Sequence, residues 1–135
     1  MKVAVAIIFD QEQRVLITRR PLHAAHGGMW EFPGGKLEAN ELPEQALIRE
    51  IKEEVDVDIR DYHFLAEVIH RYDTNTVNLL VFTVSRYEGK PSCRESQLDL
   101  HWVSIDDLNN YPFLEANVRI IELIKMKYKP SERVF

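Results

Sequence analysis

One cysteine, Cys93, stands among the 135 residues. A lone thiol forms no intrachain disulfide, and such sparing use fits a reducing compartment, so a cytoplasmic location is expected. No apolar run approaches the roughly 20 residues that span a bilayer, so no membrane partner is expected. The stretch Met1 to Phe9 is largely apolar, but it lacks a small-residue cleavage site and runs straight into Asp10-Gln11-Glu12. That is the pattern of a strand rather than of a secretory leader. Basic residues are also short: Lys and Arg number 17 against 22 Asp and Glu, a net charge of −5. Polymeric nucleic acid needs a basic stripe, so it is not an expected partner. A small phosphorylated molecule stays open, because divalent cations can sit between acidic groups and an anion. No repeat, low-complexity tract or Pro/Gly/Ser linker breaks the chain. A single domain over residues 1–135 is expected. A monomer is favoured, without a specific sequence signal for it.

Hydrophobic alternation and turn residues divide the chain into elements. Val3 to Phe9 and Arg14 to Thr18 read as strands joined through Asp10-Gln11-Glu12-Gln13 as a hairpin. Pro21 to Gly28 is a loop with two histidines and two glycines. Met29 to Phe32 is short and extended, and Pro33-Gly34-Gly35 reads as a turn. Pro43 to Glu54 has helical spacing, with Pro43 suited to the first helical position and Ala46, Leu47, Ile48 and Ile51 as its apolar face. Phe64 to His70, Val77 to Ser85 and Leu98 to Val103 read as further strands, with Trp102 expected in the core. Ser104 is placed to cap a short helix through Leu108. A last helix near Glu115 to Tyr128 carries Val118, Ile121, Ile124 and Tyr128 at helical spacing. Two helices far apart in sequence, with strands between, predict an α/β fold: an α/β/α sandwich with a mixed β-sheet between helices.

The run Arg49-Glu50-Ile51-Lys52-Glu53-Glu54 places three carboxylates within one turn of a helix. Like charges at this spacing destabilise a helix by about 0.2–0.5 kcal/mol per pair. A bound cation reverses the sign, and magnesium in particular favours carboxylate oxygens and bridges to phosphates. The ordinary alternative is a solvated acidic face relieved by Arg49 and Lys52. Upstream, Gly34-Gly35 offers backbone free of side chains, where a metal or phosphate can approach. Glu41 lies between this turn and the helix, in position to bridge to Arg49.

The full run from Gly35 through Glu41 and Arg49-Glu50-Ile51-Lys52-Glu53-Glu54 to Val57 resembles the Nudix box. That motif is a glycine, then glutamate, then Arg-Glu-apolar-any-Glu-Glu-any-Gly-apolar at fixed spacings. Several residues matching at fixed spacing make a far stronger signal than a lone glycine pair. One defining position departs: Asp56 stands where the family has glycine, just past a helix end where left-handed backbone is usual. Asn40, often glycine in relatives, departs in the same way. Asn and Asp are the non-glycine residues that best tolerate left-handed backbone, so the same loop geometry is expected. Leu42 stands where relatives often have a Ser or Thr cap, at an expected loss of about 0.5–2 kcal/mol.

The resemblance implies the Nudix fold and hydrolysis of a phosphoanhydride in a nucleoside triphosphate. It also implies Mg2+ as the cofactor, with Mn2+ as a possible substitute. It assigns Glu50, Glu53 and Glu54 as metal ligands, with the carbonyl of Gly34 or Gly35. Glu50, Glu53 and Glu95 are the candidate catalytic acids, and Glu41 and Arg49 are structural. Ile17-Thr18-Arg19-Arg20, Trp30-Glu31-Phe32-Pro33-Gly34-Gly35-Lys36, Tyr87-Glu88-Gly89-Lys90-Pro91 and Arg94-Glu95-Ser96-Gln97 resemble the MutT-like branch in particular. Glu95 matches a late-loop glutamate that reaches the metals or acts as base in relatives; its ordinary alternative is an exposed loop acid. Arg20 and Lys36 are candidates for phosphate contact, against surface charge. Phe32 is a candidate for the base pocket, against plain core.

Tyr111-Pro112-Phe113-Leu114-Glu115-Ala116-Asn117 resembles the segment that places an Asn or Asp against the base. Asn117 offers one acceptor and two donors, a pattern that suits the O6 acceptor and N7 proton of 8-oxoguanine. The alternative for Asn117 is a helix cap. The expected reaction is therefore conversion of 8-oxo-dGTP to 8-oxo-dGMP and pyrophosphate. CTP or dCTP pyrophosphohydrolysis, or action on the 5′ end of RNA, is the alternative within the same chemistry. A catalytically silent nucleotide-binding module is the alternative from another class. The histidines at 23, 26, 63, 70 and 101 show no metal-ligand spacing; His23 and His26 lie near the expected pocket mouth.

Overall fold

A computed structural model describes residues 1–128. It contains seven strands, two α-helices and a short 3-10 helix in the order β1 (Lys2–Ile8), β2 (Arg14–Arg19), β3 (Trp30–Glu31), β4 (Gly34–Lys36), α1 (Pro43–Val55), β5 (Asp58–Arg71), β6 (Thr76–Glu88), β7 (Asp99–Ser104), the 3-10 helix (Ile105–Asn110) and α2 (Glu115–Lys127). The expected sheet is present in two pieces. A mixed four-stranded sheet runs β4-β1-β6-β5, and a three-stranded sheet runs β3-β2-β7. The mixed character comes from β1, which pairs parallel with β6 and antiparallel with β4.

Side chains on a strand alternate between faces, and here the alternation separates two cores. On β1, Ala4, Ala6 and Ile8 pack with Ala46, Leu47, Ile51 and Val55 of α1. Val5, Ile7 and Phe9 face the other way, toward Ile120, Ile121 and Ile124 of α2. On β6, Phe82 and Val84 join the α1 side, while Val77, Leu79 and Val81 join the α2 side. The sheets thus lie between the two helices.

Several expectations are corrected. Pro33-Gly34-Gly35 is not a turn; Gly34–Lys36 is a strand in register with Val3 to Val5. A side chain at Gly34 would strike the carbonyl oxygen of Ala4, so the close pairing, not a bend, explains this glycine. Ile48 and Val118 are not on buried faces: they are 41% and 44% exposed. Ala46, Leu47 and Ile51 of the expected face in α1 are buried, as are Ile121 and Ile124 in α2, where Ile120 joins them. Trp102 is half-buried and stacks on Tyr87 with centroids 6.4 Å apart rather than filling the core. The strands flanking Asp10–Gln13 belong to different sheets and meet only in the isolated bridge between Phe9 and Val15.

The ends of α1 follow from local chemistry. Leu42 has no side-chain cap, but its backbone N–H donates to Gln45 Oε1 at 2.9 Å, which satisfies one otherwise orphaned donor. Asp56 ends the helix in the left-handed conformation at φ 60° and ψ 41°, and Asn40 takes φ 63°. Short polar side chains hold both positions that glycine would hold more easily. At the other end of the chain, Ser104 precedes the 3-10 helix without capping it; its hydroxyl donates to Asp107 Oδ2 at 2.9 Å.

Candidate active site

The strand β4 and the helix α1 meet through carboxylates. Glu54 Oε2 accepts a hydrogen bond from the backbone N–H of Gly34 at 2.9 Å. Glu50 lies so close to Gly35 that any Cβ there would overlap its carboxylate. A glycine at 35 is therefore a steric requirement of Glu50, as the glycine at 34 is of β1. One turn apart on α1, Glu50 and Glu54 aim at the same short strand.

Glu95 reaches this pair from the loop between β6 and β7. The loop is docked on the last carbonyls of α1: Arg94 N–H and Gln97 Nε2 both donate to Glu54 O, at 3.0 and 2.9 Å, and Ser92 N–H donates to Val55 O at 2.9 Å. Gln97 Oε1 accepts from Glu95 N–H at 2.8 Å. Carboxylate oxygens of Glu50, Glu54 and Glu95 come within 4.8 Å of one another. Glu53 is not in this group. It is half-exposed and turns to Arg49, with Nη1 to Oε2 at 3.3 Å. On the helix Glu53 lies about 60° from Glu50 on the side away from Glu54, and about 100° from Glu54, which turns it toward Arg49.

Arg49 organises the acids. It forms two bonds of 2.8 Å to the two oxygens of Glu41, one of 2.8 Å to Glu50 and one of 3.1 Å to the carbonyl of Lys36. The fork of a guanidinium suits such two-point pairing. Hydrogen bonding from Arg49 lowers the Glu41 carboxyl to about 2. The Arg49 pKa is raised, first by its bond to Glu41.

The opposite happens to the converging acids. Burial raises Glu54 to about 9, against the pull of the Gly34 N–H, with Glu31, Glu50 and Glu95 adding repulsion. Burial is also the main cause raising Glu50, with Arg49 opposing it. Three carboxylates held together with too little positive charge are the donor set of a hard divalent cation, whose oxygen ligands they supply.

A pocket of about 500 Å3 connects this acidic end with α2. Gly34, Gly35 and Glu54 line one part, and Phe32, Leu114 and Asn117 line another. Asn117 is 6% exposed, and its Oδ1 accepts from the backbone N–H of Phe32 at 2.9 Å. Among the described residues its Nδ2 has no protein partner. Asn117 is not the cap of α2; Leu114 holds that position. Phe32 is both buried and pocket-lining, with its ring 5.2 Å from that of Phe113.

Arg20 and Lys36 also line the pocket. Arg20 is already engaged: Nε donates to Ala25 O at 2.8 Å and Nη1 to both oxygens of Glu31 at 3.1 and 3.3 Å. Sequence reasoning singled out neither Glu31 nor Gln97. Glu31 lies in the pocket and is raised by burial in spite of Arg20; Gln97 is the tie that brings its loop to α1. Of the histidines, His26 lines the pocket and His63 lines a separate hollow of about 840 Å3 on another face. Among the described residues no histidine joins a group of three potential metal ligands.

The NUDIX domain model matches residues 4–123. The chain belongs to the NUDIX domain family. Nudix enzymes are divalent-metal-dependent hydrolases, in keeping with the converging acids. The chain is 42% identical to an 8-oxo-dGTP diphosphatase of Proteus vulgaris over 73% of its own length and 92% of the relative's. It is 30% identical to a CTP pyrophosphohydrolase of Escherichia coli K12 over 87% of each chain. A solved structure described for MutT from Aliivibrio salmonicida and Vibrio cholerae superposes with a TM-score of 0.82 at 35% identity. It covers 95% of this chain and 100% of that one. No helix among the described residues of this Nudix chain is long and apolar enough to cross a membrane.

Proposed function

We infer that this Nudix hydrolase is a magnesium-dependent nucleoside triphosphate pyrophosphohydrolase acting on 8-oxo-dGTP and releasing 8-oxo-dGMP and pyrophosphate. The carrying observation is the placement of Asn117 in the same pocket as Glu54, with its amide orientation fixed by the Phe32 N–H. One lone pair of Oδ1 is used by Phe32, so a second lone pair and both Nδ2 protons remain for a base. The O6 and N7–H of 8-oxoguanine present one acceptor beside one donor, the complement of that amide edge. Guanine has a bare N7 that would face Oδ1 without a proton. An unmet buried partner costs about 1–3 kcal/mol, which is the scale of the discrimination expected.

At the acidic end, Glu50, Glu54 and Glu95 would hold Mg2+, with Glu53 completing the set only after leaving Arg49. The Gly34 and Gly35 backbone lies against these acids and is the other candidate donor. Such a cation, when bound, supplies a Lewis acid for the phosphate bridge and lowers the pKa of an attacking water. The chain's own part is to hold the acids in place through Arg49 and Glu41, and to seat the base on Phe32 and Asn117. Arg20 and Lys36 line the route between and are suited to phosphate oxygens.

The test compares kcat/KM for 8-oxo-dGTP, dGTP, CTP and a 5′-triphosphorylated RNA with magnesium. The parent should prefer 8-oxo-dGTP by tenfold or more. Asn117→Ala removes the acceptor that tells N7–H from a bare N7 and should shrink the preference, whereas Asn117→Asp keeps that acceptor, loses only the donor to O6 that both purines present, and should retain it. Equal rates on all four, or a preference for CTP or RNA, would sink the 8-oxo-dGTP reading. The relative named a CTP pyrophosphohydrolase makes CTP the comparison that matters most.

A further inference from the structure

The segment that delivers Asn117 is held by few bonds. Between the 3-10 helix and α2, Tyr111 to Leu114 pairs with β3 in a single bridge between Trp30 and Phe113. Trp30 N–H donates to Pro112 O at 2.9 Å, and Leu114 N–H donates to Trp30 O at 3.0 Å. Leu114 O then accepts from Asn117 N–H at 2.9 Å. Asn117 Oδ1 returns to Phe32, the residue after β3, by accepting from its backbone N–H. This closed path fixes the floor of the base end, and its one irregular stretch begins at Tyr111.

A histidine outside the pocket grips that stretch. His101, on β7, has Nδ1 3.2 Å from the hydroxyl of Tyr111 and Nε2 3.0 Å from Asp99 Oδ2. Its ring also lies against Trp30, with centroids 4.8 Å apart, while the Tyr111 ring meets Trp30 edge-on at 5.1 Å. Three elements, β3, β7 and the entry to α2, therefore meet in one small cluster. Among the described residues, His101 is the one hydrogen-bond partner of the Tyr111 hydroxyl, so this contact ties Tyr111 to β7.

We propose that His101 is a positioning residue for base selection: by holding the Tyr111 hydroxyl and packing on Trp30, it fixes the segment that seats Leu114 and Asn117 in the pocket. It touches neither the acids nor the pocket, so its influence passes through backbone placement alone. The protonation state is not critical. A neutral imidazole accepts from the hydroxyl through Nδ1, and a charged one donates to it. The consequence for selectivity rests on the base-reading assignment of Asn117 made above.

The test uses His101→Phe, which keeps a ring against Trp30 and removes both nitrogens, beside His101→Gln, which restores a polar partner for Tyr111. Backbone hydrogen exchange reads the positioning without any nucleotide. Exchange at Leu114 and Asn117 should speed up fivefold or more in His101→Phe and return toward the parent in His101→Gln. In steady-state kinetics, His101→Phe should raise KM for 8-oxo-dGTP and narrow its preference over dGTP severalfold, with kcat within twofold of the parent. Tyr111→Phe should do the same, and the double variant should be no worse than either single one. Unchanged exchange, or a loss of kcat shared equally by all nucleotides, overturns the proposal. A parent with no preference among nucleotides overturns the substrate reading instead, and the exchange result then decides the positioning role by itself.

Discussion

Glu54 reaches across twenty positions of sequence to accept the Gly34 backbone N–H at 2.9 Å. This bond places a helix acid against the strand that forms the wall of the pocket. It also leaves that acid half-buried and desolvated near Glu31, Glu50 and Glu95, whose charges repel its own. Stability and activity therefore oppose each other at Glu54. The Glu54→Gln substitution retains an oxygen for Gly34 and removes the charge. In chelator, the variant should be more stable than the parent by about 1–3 kcal/mol, the scale of relieving an uncompensated buried group, and melt several degrees higher. Its hydrolysis should fall by at least a hundredfold. Melting curves in chelator, paired with rates in magnesium, check both signs.

The same carboxyl sets a pH dependence. Burial holds its folded pKa at about 9, above the unfolded value of 4.5. Through that window the folded chain binds more protons than the unfolded one, so metal-free stability falls as pH rises from about 4.5 toward 9. A divalent cation must displace that proton, so affinity should strengthen over the same window, with proton release visible by calorimetry in buffers of different ionisation heat. Metal affinity that is flat from pH 6 to 8.5 would contradict a raised Glu54.

The two pocket glycines should fail in different ways. Alanine at Gly34 would strike the Ala4 carbonyl on β1, so Gly34→Ala should destabilise the fold by about 1–3 kcal/mol, as overpacking does. Alanine at Gly35 would strike the Glu50 carboxylate, which is the end of a side chain and can move. Gly35→Ala should melt close to the parent while losing metal affinity and most activity. Melting temperature and metal titration, measured on both variants, separate the two.

Asp56 supplies a local test. At φ 60° it sits in a conformation that glycine adopts freely. Its contacts to Lys52 at 3.1 Å and Arg94 at 3.6 Å are exposed and contribute little. Asp56→Gly should be neutral or stabilising by up to about 1 kcal/mol, and Asp56→Ala should destabilise by about 1–2 kcal/mol. Urea denaturation of the two variants measures the difference, and activity should track neither.

Much of this architecture is legible in sequence because the information is local. Strand alternation, the Pro43 start of α1 and the left-handed residues Asn40 and Asp56 each depend on a few neighbours. The pairing of Glu41 with Arg49 is also near in sequence and carried by fixed spacing. What escapes is what depends on distant backbone. Gly34 looks like a turn residue until β1 lies beside it. Glu53 looks equivalent to Glu50 and Glu54 until β4 selects which side of the helix it faces. Gln97 carries no signal of its own, because its partner is a carbonyl 43 positions away. Ile48 and Val118 share the spacing of their buried neighbours, and only the docking angle of each helix leaves them in solvent.

The odd and even positions of β1 belong to different halves of the enzyme. Even positions support α1, which carries the acids; odd positions support α2, which carries Asn117. On the proposed role of Asn117, a change in packing beneath α2 should retune which base is accepted while the acids on α1 keep their places. One chain can drift between nucleotides by repacking a single layer.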